Sequence, residues 1–185
     1  DSTYTVQGSK DSELFAEYNR FTNANLKQVD SLSAIFTESR LEPDFQKIKI
    51  GLDSAYIRIF NNQKEKVVSF VNSYPNSLAS LLVISENFGP NTLLSEKTHT
   101  ELFFKLDSAQ IQSYPENSLV NTFHLRMLDL KAEIADIKKY DSLLMPGMQA
   151  PEISLPDASG NTVKLASLRG KLTLVYFWSS WDAPS

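Results

Sequence analysis

From Ser12 onward, apolar residues return every three or four positions: Leu14, Tyr18, Phe21, Val29, Leu32 and Phe36. That spacing predicts an amphipathic helix running to about Arg40. Pro43 suits the first turn of a second helix, where its missing N–H removes no hydrogen bond. The buried face of that helix is predicted to hold Phe45, Ile48, Leu52, Tyr56, Ile59, Phe60, Val67 and Phe70 or Val71. Gly51 weakens it by roughly 1 kcal/mol relative to alanine. Ahead of the first helix, Tyr4 to Val6 are β-like and Gly8 turns the chain. Residues 1–10 therefore read as the tail of an upstream β element.

A near-repeat follows. "VNSYPNSLASL" begins at Val71 and "IQSYPENSLVNTF" at Ile111. In each copy a helix should end before Tyr-Pro, because the residue before proline is pushed out of the helical region. A Ser or Asn should then cap a new helix that opens with Leu. Two such units resemble stacked helix pairs, but two copies are fewer than a solenoid needs, so the plain reading is punctuation within a helix bundle. Between the copies, Gly89 and Pro90 mark a loop, and Thr100 is expected to cap a helix to about Ile111. After Ser118 a long helix should reach about Tyr140, with Leu119, Phe123, Met127, Leu130, Ile134 and Ile137 on one face.

Beyond about Leu144 the period changes from helical to strand-like. "EISL" and "TVKL" alternate on either side of the turn "DASGN", which predicts a hairpin. Leu165 to Arg169 should form a short turn or 3₁₀ segment. Residues 172–178, opening with Leu172 and closing on Trp178, are almost wholly apolar and rich in β formers, as in a central strand covered on both faces. Two prolines and a glycine collect at 145–151, which sets the expected domain boundary. The pattern is therefore α+β: an N-terminal all-α helical bundle over 1–144, then a β segment over 145–185.

Within that segment Gly147, Ala150 and Pro151 precede an alternating strand, and Asp157 and Gly160 form the turn. Val163 and Leu165 follow, then Gly170 and Lys171, then the apolar run into "FWSSW". This order resembles the start of a thioredoxin-like α/β domain, of the TlpA/ResA-like branch of thiol–disulfide oxidoreductases from bacterial envelopes. The helical region is similar to the extensions that precede such domains. The resemblance implies a periplasmic or cell-envelope address, with a signal or lipoprotein segment removed upstream. It also implies that 145–185 are the incomplete beginning of that domain. In the family a Cys-x-Pro-Cys motif follows the second Trp. Here Trp181 is followed by Asp182, Ala183, Pro184 and Ser185, so both active-site cysteines are replaced.

Thiol–disulfide exchange needs a thiolate to attack sulfur and a second thiol to resolve the mixed disulfide. Neither an aspartate at 182 nor an unactivated serine at 185 supplies one. The expected role is a redox-inactive binding module, with a protein partner held at the helices or a thioredoxin-like groove. The alternative is an active oxidoreductase in its full-length or unaltered form, with Asp182 and Ser185 marking the dithiol. Asp182 has a further reading as a helix N-cap, since aspartate with proline two residues on suits a helix start. An unpaired strand at 172–178 exposes hydrogen-bonding edges, so a neighbour, the helices or a second copy is expected to cover it.

Composition narrows the remaining classes. The 185 residues contain no cysteine, which excludes disulfides, thiolate metal sites and thiol catalysis in this chain. A net charge of −4 argues against a nucleic-acid partner. No apolar run approaches the roughly 20 residues of a transmembrane helix. His99 and His124 lack ligands at metal-binding spacing, so both are read as structural, and no metal or cofactor is expected. Gly8, Gly51, Gly89 and Gly160 are isolated and make no phosphate-cradling loop.

Overall fold

The computed structural model describes residues 7–179 and Trp181. Ser9 caps helix α1 (Lys10–Ser39), its hydroxyl accepting from the Ser12 N–H at 3.4 Å. Helix α2 spans Phe45–Ser73. Its start corrects the expected role of Pro43, which lies in the preceding turn, while the Asp44 carbonyl accepts from Lys47 and Ile48 at 2.9 and 3.2 Å. Helix α3 is short, Leu78–Val83. Where a loop was expected, two-residue strands β1 (Asn87–Phe88) and β2 (Asn91–Thr92) form a tight antiparallel hairpin around Gly89 at φ +59°. Helix α4 covers Thr100–Ser113 and α5 covers Ser118–Leu143. His99, not Thr100, occupies the N-cap of α4. The Thr100 hydroxyl instead donates back to the carbonyls of Glu96 and Lys97.

The two Tyr-Pro junctions share one geometry. Tyr74 ends α2 at φ −131°, ψ 51°, and Tyr114 ends α4 at φ −137°, ψ 59°. Each donates its N–H to a carbonyl four residues back, at 2.9 and 2.8 Å, and each accepts from the residue three ahead, at 3.0 and 3.1 Å. The new helix is then capped by a side chain. The Ser77 hydroxyl accepts from Ala79, and the Asn117 amide oxygen accepts from Leu119 and Val120. The prolines act as sequence reasoning anticipates, by denying the preceding tyrosine a helical backbone. Gln110, wholly buried on α4, donates to the carbonyls of Pro75 and Ser77 at 2.7 and 2.8 Å and so ties the first junction to α4.

The chain divides into two compact units, Asp1–Lys131 and Ala132–Ser185, with α5 running through the division. In the first unit α1 packs on α2 and α3, α2 on α3 and α4, and α3 on α4. Tyr18, Val67, Val71, Val83, Ile84, Leu106, Val120 and Met127 form its most completely buried centre. Tyr18 meets Phe70 edge-on at 5.5 Å, and Phe60 of α2 meets Phe88 of the hairpin at 6.4 Å.

Three burial expectations need correction. The far half of α1 is not core, since Val29 and Leu32 are only partly covered and Phe36 is exposed. On α5, Val120 is buried in place of Leu119, which is 51% exposed. Ile137 lies beyond the division of the chain and is exposed as well. A periodic apolar stripe buries only where another element lies against it.

In the second unit β3 (Ser154–Pro156) and β4 (Thr162–Lys164) pair antiparallel, with Leu155 opposite Val163. A 3₁₀ turn, Leu165–Leu168, follows as expected. Residues 172–178 do not form the expected strand; they lie in neither helix nor sheet, and Leu172, Leu174 and Phe177 are 107%, 93% and 81% exposed. Apolar, β-prone composition proposes a strand, but a strand exists only against a hydrogen-bonded neighbour. The whole is α+β with an N-terminal helical bundle. Among the described residues, no helix is long and apolar enough to cross a membrane. The β-like reading of Tyr4 to Val6 lies outside the described residues.

Candidate functional site

The segment that leads to the motif is built on the β3–β4 hairpin. Asp157 organises its turn: one carboxylate oxygen accepts from the N–H groups of Ser159 and Asn161 at 2.8 and 2.9 Å, and the Gly160 N–H meets the Asp157 carbonyl at 3.0 Å. The Asn161 N–H, joined by those of Ser159 and Gly160, holds the Asp157 carboxyl below the usual aspartate range. Gly160 takes φ +84°, a conformation that a side chain would strain. The Leu165 N–H reaches the Ile153 carbonyl at 2.8 Å, and the Ala166 N–H reaches the Glu152 carboxylate at 3.1 Å. These bonds carry the chain from the hairpin through the 3₁₀ turn to Gly170, at φ +85°. A shallow cavity of about 370 Å³ opens beside them, bordered by Pro151, Glu152, Leu165, Arg169 and Val175.

Of the predicted site residues, Trp181 lies in a turn and is 87% exposed. Asp182, Pro184 and Ser185 lie outside the described residues, and so does the proposed N-cap at Asp182. Trp178 is 73% exposed. The described part of the motif thus presents two indoles to solvent.

A second polar constellation, missed in the sequence, lies inside the helical unit. Gln63 is wholly buried, and its amide nitrogen donates to the Tyr18 hydroxyl at 2.9 Å and to the Thr22 hydroxyl at 2.7 Å. Its amide oxygen accepts from Asn25 at 2.8 Å, and Asn25 is itself buried. The Thr22 hydroxyl donates to the Tyr18 carbonyl at 3.3 Å. Burial, reinforced by the charge of Glu86, pushes the Tyr18 phenol well above its ordinary range. Burial also raises Glu86, with the Tyr18 hydroxyl acting in the opposite sense. The signal was present: Gln63 sits four residues from both Ile59 and Val67, and Asn25 seven from Tyr18, both on apolar stripes. A polar residue at a core position asks for a buried partner.

His124 was read as a structural histidine without a ligand on its own helix. It meets Asp107 of α4, its Nδ1 lying 2.9 and 3.1 Å from the two carboxylate oxygens, and Asp107 is 2% exposed. That pair joins α4 to α5, as does the tilted contact of the Phe103 and Phe123 rings at 6.3 Å. His99 Nδ1 lies 2.8 Å from the Thr98 hydroxyl. Among the described residues, no three His, Asp or Glu side chains gather as metal ligands would.

Over 41 residues the chain is 49% identical to two proteins of Mycobacterium tuberculosis, each named a putative peroxiredoxin, from strains CDC 1551 / Oshkosh and ATCC 25618 / H37Rv. The matched stretch is 22% of this chain and 26% of each relative. The chain therefore spans about a quarter of the length of the curated relatives it matches. No family model matches it, and no solved structure does either.

Proposed function

We propose that this chain belongs with the thioredoxin-like thiol–disulfide oxidoreductases of the bacterial envelope, in the TlpA/ResA-like branch, and acts there as a redox-inactive interaction module. Peroxiredoxins share the thioredoxin fold, and a match of 41 residues has the length of the segment that follows the helical domain. The hairpin and the 3₁₀ turn support this reading, while the strand that the resemblance implies at 172–178 is not formed. A periplasmic address belongs to the same reading.

One observation carries the loss of redox activity. The sequence has no cysteine, and Asp182 and Ser185 stand where the family places its thiols. Both disulfide exchange and peroxide reduction begin with a thiolate as nucleophile. A carboxylate makes no stable bond to sulfur, and an unactivated hydroxyl remains protonated at neutral pH. Incubating the 185-residue chain with insulin and dithiothreitol, and separately with hydrogen peroxide and dithiothreitol, should give rates equal to a protein-free blank. Turnover above the blank in either assay would overturn the reading.

A further inference from the structure

Glu86 stands in the short link between α3 and β1. It is half-buried two residues from Phe88, which is 2% exposed, while Asn87 between them faces solvent. Alternation along an extended chain therefore puts the carboxyl on the inward side with the phenylalanine. Neither α3 nor the hairpin residues 87–92 carry a titratable side chain. From α1 the Tyr18 phenol faces the carboxyl, and from α2 the uncharged amide of Gln63 reaches the same hydroxyl. Among the described residues no lysine, arginine or histidine pairs with Glu86.

The direction of the hydrogen bonds shows what the carboxyl does there. Asn25 donates to Gln63, and Gln63 donates to the hydroxyls of Tyr18 and Thr22. The Tyr18 oxygen already accepts from Gln63, so its own hydrogen is left for Glu86, the acceptor beside it. The relay thus starts at Asn25, crosses α2, returns to α1 and ends on Glu86. A neutral carboxyl meets that single donor with its carbonyl oxygen. An ionised one has about four lone-pair sites, of which the phenol serves one, and water must supply the rest. Burial accordingly favours the protonated form of Glu86. Of the elements nearby, the hairpin yields most readily, because its strands are two residues each and such a pair is marginal alone. Beyond its own ladder it is held by Phe88 against Phe60 at 6.4 Å and by the Asn91 amide on the Tyr56 hydroxyl at 2.7 Å.

We propose that Glu86 is a proton-operated clasp: protonated, it closes the α3–β1 link and the β1–β2 hairpin onto α1 and α2, and ionised, it lets them open locally. Opening becomes easier as pH rises and levels off once Glu86 is ionised in the closed form as well. The device lies wholly within the helical unit and draws on neither the β segment nor its motif.

Hydrogen exchange of the 185-residue chain tests the clasp, read by mass spectrometry between about pH 4 and 8 and corrected for intrinsic exchange rates. Peptides covering 84–93 should lose protection as pH rises, while those covering 59–71 of α2 keep theirs. Glu86→Gln, a neutral mimic of the acid form, should keep 84–93 protected across the whole range. Unchanged far-ultraviolet circular dichroism verifies that the variant is folded. Wild-type protection of 84–93 that does not change with pH would overturn the proposal. So would a loss shared equally by 59–71, which marks global unfolding, or a loss that persists in Glu86→Gln.

Discussion

Gln63→Leu tests whether the buried amide relay holds α1 and α2 together. The substitution keeps the volume and apolar character of a core position but removes three hydrogen bonds: to the Tyr18 hydroxyl, to Thr22, and from Asn25. Thr22 keeps its bond to the Tyr18 carbonyl. The Asn25 amide loses its acceptor while 3% exposed, and the Tyr18 hydroxyl loses a donor at 0% exposure. An orphaned buried group costs about 1–3 kcal/mol, and the added apolar burial of leucine offsets about 1 kcal/mol. The expected net loss is about 2–3 kcal/mol, or a fall in Tm of roughly 5–10 °C for a unit of this size. Urea denaturation followed at 222 nm measures it. The mechanism makes a sharper demand in the double variant. Asn25→Leu combined with Gln63→Leu removes the orphan together with its lost partner, so it should recover part of the stability lost by Gln63→Leu alone. A single-variant loss below about 0.5 kcal/mol, or strictly additive losses in the double variant, would refute the relay.

Three further outcomes follow from the same geometry. Glu86 has a raised pKa in the fold, so between the unfolded and folded values the folded chain holds a proton that the unfolded chain has released. The corresponding stability is full below the unfolded value of about 4.3 and is lost as pH rises through the folded value. Glu86→Gln should therefore raise Tm at pH 7 and flatten the decline expected as pH rises above the unfolded value. Met127→Ala opens a void at a wholly buried position and should destabilise the helical unit by about 2–5 kcal/mol in the same urea titration. His124→Ala removes the imidazole that both oxygens of buried Asp107 meet, and it should lower stability by about 2 kcal/mol or more. His124→Ala/Asp107→Leu, with the carboxylate gone, should restore much of that loss.

Helix positions were legible in the sequence because local rules govern them. Tyr-Pro ended α2 and α4, Ser77 and Asn117 capped what followed, and the period change near residue 145 marked the hairpin. Burial was less legible because it depends on neighbours. Phe36, Leu119 and Ile137 keep helical spacing, yet other elements leave them exposed, while Gln63, Asn25 and Asp107 are buried because polar partners reach them from other helices. Residues 172–178 show the same limit in β structure. Their composition specifies a strand, but the hydrogen bonds that define one must come from other backbone. At the candidate site, the lack of thiols is read from residue identity alone, because the absence of cysteine does not depend on conformation.

The matched Tyr-Pro junctions bear on how such a chain can grow. Each delivers a departing helix from the same terminal backbone angles and receives it with the same three-residue turn, so a copied helix pair would arrive with its fittings already compatible. A helix pair inserted between Pro75 and Pro115 would meet, at each end, the backbone angles that Tyr74 and Tyr114 already adopt.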